Sequence, residues 1–261
     1  MDVRALSFTG STRTGRIIQE SAAKSNLKVI FLELGGKSPV CIFEDADLEI
    51  AAEDTQHSIQ VNSGQTCMAT TRVYVQESVA EKYIALFKAK FESSSIGDPQ
   101  KPGTNQGPQA DKVQYDNVLK YIEIAKEEGT LALGGSAVEG EGYFIRPTIF
   151  TDTPEDARTM KEEIFGPVVH INTFKTEEEV LAKANNTEYG LYASVYTKDL
   201  NRAIRFAKGF EAGTVGVNCT SPTQGKDMPF GGFKGSGIGR EGLPFYTMNN
   251  FLETKTVVVK L

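Results

Sequence analysis

Residues 29–34, Val-Ile-Phe-Leu-Glu-Leu, carry apolar side chains on both faces of an extended chain: Val29 and Phe31 against Ile30, Leu32 and Leu34. A strand of this kind belongs in a sheet covered on both sides, which makes it parallel and the architecture α/β. The rest of the chain agrees. Short apolar runs alternate with amphipathic stretches, with no internal repeat and no low-complexity tract. Strands are predicted over 3–8, 29–34, 39–43, 72–76, 131–133, 168–174, 193–197, 214–218 and 254–260. Helices are predicted over 12–25, 111–128, 177–185 and 199–210. One more starts from Asp45 or Asp47 and runs towards Val61, and another places Ile84, Phe87 and Phe91 on one face. Residues 134–142 read as a Gly-rich turn region. Two long polar connections remain, 93–109 and 220–242.

Composition narrows the function. The 261 residues carry 39% apolar and 24% charged side chains, which describes an ordinary globular chain of one large domain or two small ones. A net charge of −6 argues against a nucleic-acid binder, which needs a basic face to displace counterions. Two His and three Cys are too few for a zinc cage or a disulfide framework, and scattered thiols fit a reducing compartment. No apolar run approaches the length of a membrane span, and residues 1–10 lack the apolar core of a secretory signal. A cytoplasmic protein without membrane partners is expected.

Three segments concentrate polar chemistry at element ends. Phe8-Thr9-Gly10-Ser11-Thr12, with Gly15-Arg16 shortly after, sits at a strand-to-helix turn. Such a turn offers free backbone N–H groups to a phosphate, or is an ordinary Gly turn with a Ser/Thr cap. Glu33-Leu34-Gly35-Gly36-Lys37-Ser38-Pro39 ends an apolar strand with a carboxylate. A Glu among apolar neighbours is suited to general-base work through a raised pKa; the alternative is a surface Glu before a turn. Asn62-Ser63-Gly64-Gln65-Thr66-Cys67-Met68-Ala69 places a thiol in a polar turn after a helix. Cys41, between Val40 and Ile42, reads as a core thiol, and Cys219 has no assigned role.

Together these segments resemble the NAD(P)-dependent aldehyde dehydrogenase superfamily. The resemblance continues through Glu162-Glu163-Ile164-Phe165-Gly166-Pro167 and Asn185-Asn186-Thr187-x-Tyr189-Gly190-Leu191. It ends in Met228-Pro229-Phe230-Gly231-Gly232-x-Lys234-x-Ser236-Gly237-x-Gly239-Arg240-Glu241. It covers the whole chain in order and spacing. It implies an aldehyde dehydrogenase-like catalytic domain with a parallel-rich sheet and flanking helices, plus a remnant of the Rossmann-like cofactor domain. It also implies oxidation of a small-molecule aldehyde to a carboxylic acid. Cys67 would be the nucleophile, passing through a thiohemiacetal and a thioester, with its own backbone N–H as half of an oxyanion hole. Glu33 would activate the hydrolytic water. NAD or NADP would accept the hydride, with Glu163 and Phe165 at its nicotinamide end and Thr9 and Ser11 at its pyrophosphate. Phe230 would line the substrate tunnel. No metal is implied.

Members of the superfamily are about twice this length. The chain begins inside a βα unit, and the half that carries most of the dinucleotide-binding sheet is missing. Residues 1–35 would be the cofactor-domain remnant, 36–235 the thiol-bearing catalytic domain and 236–261 a return segment. The last strand, 254–260, would join a homo-oligomer. Two other functions fit such a chain: a cofactor-independent hydrolase or tailoring enzyme that uses Cys67, and a non-catalytic interaction protein.

Overall fold

A computed structural model describes residues 2–223, 225 and 227–261. The first strand, β1 (Ala5–Thr9), turns into helix α1 (Thr12–Ser25), which Ser11 caps by accepting from the Thr14 N–H at 3.2 Å. Strand β2 (Val29–Glu33) lies parallel to β1. Then come β3 (Pro39–Ile42), α2 (Leu48–Gln60), β4 (Arg72–Gln76), α3 (Ala80–Glu92), α4 (Lys112–Glu128) and β5 (Thr130–Leu133). The chain continues through β6 (Thr148–Thr151), α5 (Arg158–Lys161), β7 (Val168–Phe174), α6 (Glu177–Asn185), β8 (Tyr192–Tyr196), α7 (Leu200–Gly209) and β9 (Thr214–Val217). It closes with β10 (Gly237–Ile238) and α8 (Leu243–Asn250).

Seven strands form one sheet in the order β5-β6-β7-β4-β3-β8-β9. Every neighbouring pair is parallel except β5 and β6. The central strands are apolar on both faces because both faces are covered. Val40, Ile42, Val73 and Val75 pack with Ile59, Tyr83 and Phe87 of α2 and α3. Cys41, Phe43 and Tyr74 point the other way, into Val180, Ala184 and Phe206 of α6 and α7. This is the period-2 alternation of a strand, with an apolar layer on each side. Asp47 caps α2, accepting from the Glu49 and Ile50 N–H groups. Asp45 instead accepts from Thr197 Oγ1 and from the backbone of Lys198 and Asp199.

The second sheet is small: β1-β2-β10, with β10 antiparallel to β2. Here the sequence expectation needs correction. Residues 29–34 were expected to be covered on both faces, but Val29 is exposed, Ile30 and Phe31 are half-buried, and only the end from Leu32 onward is buried. Among the described residues β2 is flanked by β1 and β10, with α1 nearby and the Phe251 ring 6.0 Å from that of Phe31, and this cover leaves its first half open. The strand expected over 254–260 is also absent. Residues 252–261 carry no secondary structure and are exposed, since a strand without a neighbour leaves its backbone groups unpaired. The elements missed in the sequence are β6, β10, α5 and α8. Among the described residues no helix is long and apolar enough to cross a membrane.

Candidate active site

The parallel order β7-β4-β3 brings three connecting loops to one end of the large sheet. Residues 34–38 lead into β3, 61–71 into β4 and 162–167 into β7. The end of β2 meets these loops and carries Glu33, buried at 6% exposure. A cavity of about 610 Å³ opens where they converge. Its lining includes Thr9, Gly10, Ser11, Glu33, Gly35, Cys67, Glu163 and Phe165, so residues from four separate motifs share one wall. Phe230 does not line it. That ring packs with Cys67 against Met68, Leu191 and Tyr192, and it faces a separate hollow of about 240 Å³.

The approach of these loops is set by backbone contacts. A Cβ on Gly36 would sit 2.0 Å from the Cys67 carbonyl oxygen, and one on Gly64 would sit 2.1 Å from the Gly166 carbonyl. The Gly36 N–H donates to Glu163 Oε1 at 2.8 Å. The thiol loop begins with an unusual turn: Asn62, Ser63 and Gly64 have φ of 52°, 59° and 75°. Phe165, at φ 60°, is held by Gln114 Nε2, which donates to the Ile164 and Phe165 carbonyls at 3.2 and 2.7 Å.

Charges in this wall are tuned by burial. Cys67 and Glu33 line the same cavity, near enough for each to shift the pKa of the other. Burial raises the Glu33 pKa; the neighbouring Cys67 thiol opposes the rise and the nearby Glu241 carboxylate adds to it. Glu33 Oε1 is buried without a partner. Burial raises the Cys67 thiol as well, and the negative charges of Glu33 and Glu163 raise it further. The resting pair is therefore a protonated thiol beside a carboxyl group that is a stronger base than an exposed Glu. Glu163 is pushed up to about 7, chiefly by burial, against the Gly36 N–H and the Lys37 cation. Lys37 is 1% exposed, its Nζ has no partner, and burial together with Arg72 lowers it to about 7.

Ser11 Oγ is engaged in capping α1, and Ser11 also lines the cavity. Cys41 is fully buried, and its thiol is pushed far up by burial. Cys219 is partly exposed. Sequence reasoning missed Gln114, Asn117 and Lys37. A signal for Gln114 existed: it lies three residues after Asp111, whose cap fixes the first turn of α4 toward the cavity. No group of three or more metal-ligating side chains occurs among the described residues.

Comparison with known proteins agrees with this geometry. The family model described as "Aldehyde dehydrogenase family" matches residues 1–257. An aldehyde dehydrogenase of Agaricus bisporus is 49% identical over 262 aligned residues, covering 100% of this chain and 52% of that protein. Aldehyde dehydrogenase 1A1 of Homo sapiens is 46% identical, with 100% and 52% covered. Among solved structures, the NAD+ complex of a Bacillus cereus aldehyde dehydrogenase superposes with a TM-score of 0.96 at 42% identity, covering 100% of this chain and 52% of that one. The P. syringae indole-3-acetaldehyde dehydrogenase in complex with NAD+ and IAA gives 0.97 at 37% identity, with 100% and 53% covered. The chain spans about half the length of the curated relatives it matches.

Proposed function

Because this chain belongs to the aldehyde dehydrogenase family, we propose that it carries the thiol-bearing half of an aldehyde-oxidising site, with Cys67 as nucleophile and Glu33 as base. The observation that carries this reading is the convergence of Cys67, Glu33, Glu163 and Phe165 on one cavity of about 610 Å³. Glu33 takes the thiol proton, and the sulfur adds to the aldehyde carbon to give a thiohemiacetal. The Cys67 backbone N–H donates to the oxygen that becomes anionic. Loss of hydride from carbon leaves a thioester on Cys67. Glu33 releases the thiol proton to solvent, then removes a proton from water as it attacks the thioester; that proton passes to the departing sulfur, which frees the carboxylic acid and restores the thiol. The partnerless Glu33 Oε1 supports the last role, since a buried carboxylate oxygen of that kind is free to accept from a water.

NAD or NADP, when bound, would supply the hydride acceptor. The residues present fit its nicotinamide end. Glu163 offers carboxylate oxygens for ribose hydroxyls, and Phe165 offers a partly exposed ring at the cavity rim. The α1 N-terminus and Thr9 suit a pyrophosphate. Beside them stands only the three-stranded sheet, so we infer that this chain by itself holds a dinucleotide weakly. Phe230, in contact with the Cys67 cluster, would meet the aldehyde's side chain. Residues 1–35, 36–235 and 236–261 are the corresponding units of the chain.

The exposed tail also fits association with a second copy. Val257, Val258 and Val259 are 71%, 88% and 72% exposed and have the composition of a strand. Residues 254–260 would pair with an open sheet edge of another copy. The scattered free thiols suit a cytoplasmic setting.

The test is a calorimetric titration of the chain with NAD and NADP, followed by turnover of an aldehyde and of an activated ester, each repeated with Cys67→Ala. Aldehyde oxidation that requires Cys67 supports the reading. Cys67-dependent ester turnover with no nucleotide requirement favours a hydrolase. Turnover that survives Cys67→Ala removes Cys67 from the chemistry.

A further inference from the structure

The turn at 62–64 places three consecutive residues in the left-handed region just before the thiol. Asn62 and Ser63 bear side chains, and such residues hold that conformation only when their surroundings enforce it. Part of the enforcement is local, since Asn62 Nδ2 donates to the Gln65 carbonyl and Gln65 Nε2 to the Asn62 carbonyl, each at 2.9 Å; the rest comes from a distant segment. Gln109 Nε2 donates to the Ser63 carbonyl at 3.0 Å, and Ser63 Oγ donates to the Gly107 carbonyl at 2.7 Å. The Ala110 N–H donates to Gln65 Oε1 at 2.7 Å. Gln109 is itself anchored, since its backbone N–H donates to the Tyr143 carbonyl at 2.8 Å, and it is 2% exposed.

We propose that Gln109 and Ser63 are positioning residues for Cys67, forming a clasp between residues 107–110 and the turn that fixes the thiol against Glu33. The proposal rests on the reading of Cys67 as nucleophile. Gln109 Oε1 is buried and has no partner. A glutamine retained only for packing would waste that oxygen, and methionine would fill the same space without it. The useful group is the donor, which reaches the turn and touches neither Cys67 nor Glu33.

The experiment follows iodoacetamide labelling of Cys67 from about pH 6 to about pH 10, resolved from Cys41 and Cys219 by peptide mass spectrometry. The variants are Gln109→Met and Ser63→Ala, with the exposed Gln100→Ala as control. With the clasp released, the thiol leaves Glu33 and its buried setting. Labelling at neutral pH should then rise about 5-fold or more, with a lower pH midpoint. Glu33→Gln, which alters labelling in the parent chain, should lose its effect in the Gln109→Met background. Gln100→Ala should match the parent. If Gln109→Met does not fold, Ser63→Ala, which removes a single hydroxyl, carries the test. Folded clasp variants that label within about 2-fold of the parent, or that keep the full response to Glu33→Gln, overturn the proposal. Failure of the nucleophile reading shows separately, as turnover that persists in Cys67→Ala.

Discussion

Gly36 meets Cys67 backbone to backbone, with room for no Cβ between Gly36 and the Cys67 carbonyl oxygen, and the same Gly36 donates its N–H to Glu163. One residue without a side chain thus spaces the thiol loop and the half-buried Glu163 carboxylate. Main chain cannot rotate away as a side chain can. Gly36→Ala should cost roughly 1–3 kcal/mol in denaturant unfolding and should weaken the Cys67–Glu33 contact. An unchanged unfolding midpoint would show that the loops yield more easily than their packing indicates.

The Glu33 carboxyl acts on Cys67 in two opposed ways. Its negative charge holds the thiol pKa up, while in the proposed reaction its basicity would remove protons. Glu33→Gln should therefore speed alkylation of Cys67 at neutral pH. Breakdown of an acylated Cys67, followed by mass spectrometry, should slow by about 10²-fold or more. Faster alkylation with unimpaired deacylation would assign the hydrolytic base to another group.

Glu163 and Lys37 set opposite pH slopes. The folded chain holds a proton on Glu163 up to about 7, above the ordinary 4.5, so this group's contribution to stability falls as pH rises from 4.5 to 7. Lys37 releases its proton at about 7 rather than 10.5, so its contribution rises with pH between those values. Lys37→Met should remove a buried cation without a partner and stabilise the chain at pH 6 by roughly 1–4 kcal/mol. It should also push Glu163 higher. Melting curves at several pH values read both effects, and a destabilised Lys37→Met at low pH would contradict them.

If residues 254–260 join a second copy, removing them should shift the chain toward monomer in sedimentation or light scattering. The melting temperature of the 7-stranded sheet should be little altered, since the tail is exposed and joins neither described sheet. An unchanged association state would point to the exposed face around Val29 and Ile238 instead.

Much of the fold was legible because local signals agreed with tertiary packing. Helix α1, strands β4 and β7 and helix α6 have the bounds the residue pattern predicted, each marked by a cap or a clean apolar run. Strand β6 was not legible: four residues after Pro147 carry too little pattern, and their strand character comes from the β7 neighbour. Helix α8 follows Gly242 at φ 84° and has no side-chain cap. Residues 254–260 show the reverse case, strong β composition with no neighbour to realise it. In the site, the motif segments could be read one by one. Their convergence could not, because it depends on the strand order β7-β4-β3. The clasp from Gln109 and the buried charge of Lys37 depend on contacts across the chain that no local pattern announces.

That strand order also sets a schedule for synthesis. Val40 in the middle of the large sheet pairs with Val73 on one side and Ser194 on the other. A ribosome delivers β3 early and β8 late, so one edge of the central strand stays open while most of the remaining chain is made. Long-range parallel pairing of this kind folds slowly and exposes an aggregation-prone edge in the interval. The nascent chain would need chaperone shelter until Tyr192–Tyr196 has emerged.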